Sequence, residues 1–212
     1  MLKNGNNNKK ESWEWRCFYK KEKLKNKTLE KINLDLPEPK YKNYIDQYLI
    51  IPKLPHNIKL RKITNQILEE LHIKTLIKNQ NNIYKFSQKT IIPFPIVKDD
   101  LLKLKSLKIL NINNKIKSID SLKNIINIKN NAYLLTSVKK KLTRYNIKKD
   151  ISKLRKKIRL EFANIQINNI PFKTISLKCT SMEVIIEVLQ KLDMLDLEST
   201  NYVNYIKSLE NT

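Results

Sequence analysis

Apolar and polar residues alternate along several short stretches of this chain, the pattern of half-buried β-strands. In Ser12-Trp13-Glu14-Trp15-Arg16-Cys17-Phe18, the residues Ser12, Glu14 and Arg16 fall on one face and Trp13, Trp15 and Cys17 on the other. Asn57 to Arg61 puts Lys59 and Arg61 on its polar face, and Ser137 to Tyr145 puts Lys140 and Arg144 there. Each such strand offers one apolar and one charged face. Several of them can close into a barrel that hides the charge inside, and a basic interior suits a polyanion.

The same pattern predicts strands over 13–19, 44–51, 57–63, 83–92, 132–147, 159–167 and 174–179. Residues 68–77 fit helix or strand in their first half and strand in the second. Residues 20–43, Lys-rich and broken by Pro37 and Pro39, read as a loop, and 79–82 as a turn. Asp99-Asp100 ahead of Leu101, Leu102 and Leu104 predicts a helix, followed by polar Asn-Lys stretches. Thr180 and Glu183 have capping-box spacing, ahead of a C-terminal helix with Val184, Ile185, Val188, Leu189 and Leu192 on one face. Residues 1–10 read as a disordered tail, and 11–212 as a single domain.

Composition narrows the partner. Against 20 acidic residues stand 43 basic ones, a net charge of +23 that points to nucleic acid, polyphosphate or an anionic membrane face. Lys, Asn and Ile are over-used and Gly occurs once, at Gly5, as mutational pressure from an AT-rich genome would produce. Roughly half of the excess charge is assigned to that drift. Arginine is scarce, so Arg61 and Arg144 stand out as bidentate phosphate ligands. A solvated face in a lysine-rich chain is the competing reading for all these basic positions.

A chain with one glycine at its start has no P-loop or Rossmann phosphate loop. Cys17 and Cys179 read as free thiols. No apolar run approaches the ~20 residues that span a bilayer, and the N-terminus lacks a secretory or transit pattern. The expected location is cytoplasm or organelle interior, not secreted and with no membrane. His56 and His72 lack metal-ligand spacing and read as structural. Trp13 and Trp15 read as packing on the outside of the barrel. The run Lys148, Lys149, Lys153, Arg155, Lys156 and Lys157 suits a solvated face or an external RNA contact.

Seven stretches complete the reading: Trp13-Glu14-Trp15-Arg16, Asp46-Gln47-Tyr48-Leu49, Asn57 to Arg61, His72 to Leu76, Phe94-Pro95-Ile96, Arg144-Tyr145, and Thr200-Asn201-Tyr202 with Lys207. In this order they resemble the CYTH, or triphosphate tunnel, superfamily, and most of all a branch of small proteins that begin with a Trp-Glu-Trp-Arg strand. The resemblance implies an α+β fold: an antiparallel β-barrel forming a tunnel, with peripheral helices and a C-terminal helix. It implies that Arg16, Lys59, Arg61, Lys74, Lys89, Lys140 and Arg144 bind phosphate. It implies that Glu14 and Glu161 are the catalytic carboxylates and the ligands of Mg2+ or Mn2+, in a divalent-metal-dependent triphosphatase or polyphosphatase if the protein is active.

The chain departs from the family pattern at the metal. The family's first strand carries Glu-x-Glu-x-Lys, and here Ser12, Glu14 and Arg16 correspond. A late acidic ligand is replaced by Lys178. A lysine at the end of the strand before Phe94-Pro95 falls at Ile91, although Lys89 shares its face. Two carboxylates hold a hard cation poorly. The expected function is binding of triphosphate or polyphosphate with hydrolysis weak or lost. The alternative is a basic RNA-binding or ribosome-associated structural protein that reuses the fold.

Overall fold

A computed structural model describes residues 11–19, 23–32, 37–51, 54–62, 68–109, 115–129, 134–147 and 157–210. Its strands are β1 (Ser12–Tyr19), β2 (Lys40–Ile50), β3 (His56–Lys62), β4 (Glu69–Gln80), β5 (Ile83–Phe86), β6 (Thr90–Pro93), β7 (Leu134–Ile147), β8 (Ile158–Ile167) and β9 (Ile170–Cys179). Its helices are α1 (Lys23–Ile32), α2 (Lys98–Ser106), α3 (Ile119–Lys129), α4 (Met182–Lys191) and α5 (Tyr202–Glu210).

Eight strands pair antiparallel in the cyclic order β3-β2-β7-β8-β9-β1-β5-β4, and a β3–β4 pairing closes the barrel. The extra strand, β6, lies along β4 at residues 70–73, next to the stretch where β5 takes over. Among the described residues the fold is thus a closed eight-stranded antiparallel barrel with one added strand and five helices. Tight hairpins join β4 to β5 and β8 to β9. Asn81-Asn82 and Asn168-Asn169 take positive φ there, between 48° and 68°. Asparagine tolerates that region, so these turns do without glycine.

The barrel is polar inside and apolar outside. Trp15, Cys17, Leu160, Phe162, Ile175 and Leu177 face outward beneath Val184, Ile185, Val188 and Leu189 of α4. Each aliphatic side chain so buried contributes roughly 1.5–3 kcal/mol. On the opposite wall, Ile58, Leu60, Leu71 and Ile73 pack against Leu101 and Leu104 of α2 and Ile119, Leu122 and Ile126 of α3. A third cluster lies within the barrel, where Tyr202 and Ile206 of α5 pack on Tyr48, Val138, Leu142, Ile165 and Phe172. These strand residues have inward parity, so α5 fills one end. No described helix is long and apolar enough to cross a membrane.

Four expectations need correction. The segment read as a loop over 20–43 holds α1 and the start of β2. Its Thr28 is buried and donates to the Leu24 carbonyl, while Leu24 and Leu29 pack on the outer core, a face hidden by the surrounding lysines. The polar stretch after α2 holds α3, where Ser118 and Ser121 cap each other's backbone N–H groups. The strand expected over 83–92 is two strands. The α4 cap is Ser181 instead of Thr180, and the Ser181 hydroxyl bonds Glu183. The tail 1–10, and Lys148, Lys149, Lys153, Arg155 and Lys156 of the basic run, lie outside the described residues. Lys157 is described and exposed.

Candidate anion-binding site

Strand parity brings the nine sequence-predicted site residues into one cavity of about 190 Å³. β1 supplies Glu14 and Arg16; β3 supplies Lys59 and Arg61; β4 supplies Lys74; and the β5–β6 connection supplies Lys89. Lys140 and Arg144 come from β7, and Glu161 from β8. Arg159 and Lys178 complete a lining of nine basic side chains against two carboxylates.

One pole of the cavity is organised by a residue whose sequence motif was noted without a role. Asp46, with no exposed surface, accepts from Lys59 Nζ at 2.9 Å, Lys140 Nζ at 3.0 Å and Arg61 Nε at 2.7 Å. A second Arg61 nitrogen bonds its other oxygen at 2.9 Å, giving the two-pronged pairing that guanidinium geometry allows. Arg61 also stacks on Tyr44, 3.6 Å from the ring centre. Lys140 donates to Tyr48 Oη at 2.7 Å and lies 3.7 Å from the Tyr202 ring centre. Burial raises the Asp46 carboxyl, but Lys59, Lys140 and Arg61 outweigh it and hold the group well below its ordinary value.

At the other pole, two rows cross β7, β8, β9 and β1. In one, Arg159, Lys178 and Glu14 are successive register partners; in the other, Arg144, Glu161, Ser176 and Arg16 are. Lys74 and Lys178 both bond Glu14, the latter at 3.1 Å. Arg144 Nε bonds Glu161 at 2.7 Å. Arg159 and Lys178 face each other as like charges, a destabilising cross-strand pair. Arg159 Nε is buried without a hydrogen-bond partner, and so is His72 Nδ1. A buried unsatisfied donor is costly, and Arg159 is among the residues lining the cavity.

The excess of positive charge is felt by the lysines. Burial pushes Lys140 down to about 8, with Asp46 opposing. It pushes Lys178 down to about 8 as well, with Glu14 opposing and Lys74 adding. Burial holds Lys59 well below its ordinary value, and burial with the Arg61 charge lowers Lys89. His72 falls to about 4 through burial, so it is a neutral imidazole at pH 7. Burial alone would raise Glu14, but Lys74 and Lys178 hold it below the carboxylate range; Arg144 and Arg16 do the same for Glu161. A bound polyanion would oppose the lowering of these lysines by favouring their charged form.

The residues present do not fit the divalent metal that the fold implies. Both cavity carboxylates are held by cations of the protein itself. Among the described residues no group of three or more His, Cys, Asp and Glu side chains is placed to share an ion. A hard cation would have to displace two ammonium groups from Glu14 or a guanidinium from Glu161. Ser12 is buried at the start of β1 and does not line the cavity.

Comparison with solved structures bears on the architecture. A conserved hypothetical protein from Pyrococcus furiosus superposes with a TM-score of 0.51 at 16% identity, over 91% of this chain and 98% of that one. A putative adenylyl cyclase from Hippeastrum, described as having a dominant triphosphatase activity, gives 0.52 at 8% identity over 95% and 96%. The capping-enzyme triphosphatase of Mimivirus gives 0.52 at 13% identity over 89% and 91%. The chain shares its barrel fold with these solved structures, two of which are described as triphosphatases. No family model matches the sequence, and neither does any curated protein.

Sequence reasoning missed Arg159, Asp46, Tyr48 and Tyr202 as parts of the barrel interior. Arg159 was legible, because it shares parity with Glu161 two positions on. Asp46, Tyr44 and Tyr48 share parity too, but an acid and two tyrosines do not read as a phosphate site. Tyr202 carries no strand periodicity because a helix delivers it.

Proposed function

We propose that the protein binds an anion of the triphosphate or polyphosphate class inside the barrel, and that hydrolysis is weak or lost. The observation carrying this reading is the Arg159–Lys178 juxtaposition: adjacent cations, one with a buried partnerless N–H, in a cavity where the carboxylates are already paired. Arg16, Lys59, Arg61, Lys74, Lys89, Lys140 and Arg144 supply the surrounding field, and phosphate recognition by such a set is positioning and preorganised charge. The triphosphatase activity described for the Hippeastrum and Mimivirus neighbours supports a triphosphate ligand. Catalysis by Glu14 and Glu161 with Mg2+ or Mn2+ is the part this reading gives up, because an ammonium and a guanidinium already hold the carboxylate oxygens.

Titration calorimetry with tripolyphosphate tests the binding. Heat of binding that weakens steeply with salt is expected, and absence of binding at low salt would end the proposal. Phosphate release assayed with Mg2+ or Mn2+ tests the chemistry. Sustained metal-dependent turnover would return Glu14 and Glu161 to catalytic roles.

A further inference from the structure

The strands that wall the cavity also carry a second basic surface on their outer side. A groove of about 870 Å³ runs across β2, β7, β8 and β9, lined by strand residues alone. Tyr44, Lys140, Ile165 and Phe172, of inward parity, contribute to its lining between neighbours of the opposite parity. Exposed Lys139, Lys141, Asn164 and Gln166 form its centre. Lys141, Asn164 and Lys173 are direct register partners in one row, and Lys139, Gln166 and Pro171 in the next. A smaller cavity continues it past Lys141, Asn164 and Lys173 to Lys25 and Asn26 of α1. No carboxylate lines either cavity.

We infer that this groove is a binding surface for single-stranded nucleic acid. Strands lie about 4.8 Å apart, so β2 to β9 spans about 15 Å, the width of a channel more than of a flat docking plane. Lysine heads along it match a phosphate backbone. The amides of Asn43, Asn164 and Gln166 offer donors and acceptors to base edges. Tyr41, 75% exposed on the same face of β2, gives a stacking platform. A second copy of the chain is disfavoured, since it would bring lysine against lysine. The inference does not depend on what the barrel interior binds.

Fluorescence anisotropy with a short single-stranded RNA carrying a 5′-hydroxyl end reads the outer groove without offering the interior a triphosphate. The triple variant Lys139→Gln, Lys141→Gln, Lys173→Gln should weaken binding by about tenfold or more and lower the salt slope by about 2. A control triple of equal charge loss on and after α2, Lys98→Gln, Lys105→Gln, Lys108→Gln, should change it far less. Equal losses in both triples would mean that total charge alone drives association and would overturn the assignment. So would no loss in either. Polyglutamate binding as tightly as the RNA, with the same lysine dependence, would overturn the nucleic-acid reading. Unchanged melting temperatures show that each variant is folded.

Discussion

The two poles of the barrel interior carry similar side chains and use them differently. Around Asp46, one fully buried carboxylate gathers Lys59, Arg61 and Lys140, and tyrosines 44, 48 and 202 close over the group. Around Arg159 and Lys178, cations are adjacent, Glu14 is shared between two lysines, and a buried guanidinium nitrogen has no partner. The first pole is satisfied by the chain itself. The second leaves adjacent cations without internal counter-charge, which the proposed anion would supply. Basic residues inside a barrel are therefore not one class: some are anchored by internal counter-charge, and some are held ready.

Breaking the satisfied pole should cost most. Asp46→Asn leaves three buried cations without their counter-ion, and removing one partner of a buried ion pair typically costs about 3–5 kcal/mol. Denaturant unfolding reads the change. Glu14→Gln at the other pole should cost no more than about 2 kcal/mol, near the value of hydrogen bonds to a charged group, and should not weaken tripolyphosphate binding, because it frees Lys74 and Lys178. Equal destabilisation by the two variants would erase the distinction between the poles.

Much of this interior was legible from strand parity. Glu14 and Arg16, Lys59 and Arg61, and Lys140 and Arg144 each lie two or four residues apart, and a period of two sends each pair to one side. What parity cannot carry is the pairing across strands. Lys178 was readable as a charge reversal at a metal position, but its contact with Glu14 and its opposition to Arg159 depend on the β8-β9-β1 register. Helices α1 and α3 were obscured for a different reason. Lys and Asn are over-used along this chain, so a short amphipathic helix with few buried residues looks like a polar loop.

The ready pole should show its effect in binding more than in stability. Arg159→Ala removes an unsatisfied buried donor, so folding should change little. Tripolyphosphate binding should weaken by about 1.5–3 kcal/mol, the range for a charge-assisted hydrogen bond. Arg61→Ala should weaken binding and folding together, because Arg61 also bonds Asp46 twice. Calorimetry and melting measured on the same preparations separate these outcomes. An Arg159 variant that binds like the parent would remove the main support for the anion site.

Smaller still is a pH effect that sets affinity against stability. Lys140 and Lys178 titrate near 8 in the free protein, against an ordinary 10.5. Above about pH 8 the empty cavity has begun to lose protons that a bound polyanion would restore. Affinity should therefore fall as pH rises, by at most about tenfold per unit for each proton taken up. The same two lysines act on folding with the opposite sign. Between pH 8 and 10.5 the unfolded chain holds more protons than the folded one, so their contribution to stability rises with pH. Loss of binding over this range thus cannot be ascribed to these groups unfolding the protein. Calorimetry near pH 8.5, in two buffers of different ionisation enthalpy, measures the protons directly. Binding with no net uptake would mean that neither Lys178 at the ready pole nor Lys140 beside Asp46 meets the anion.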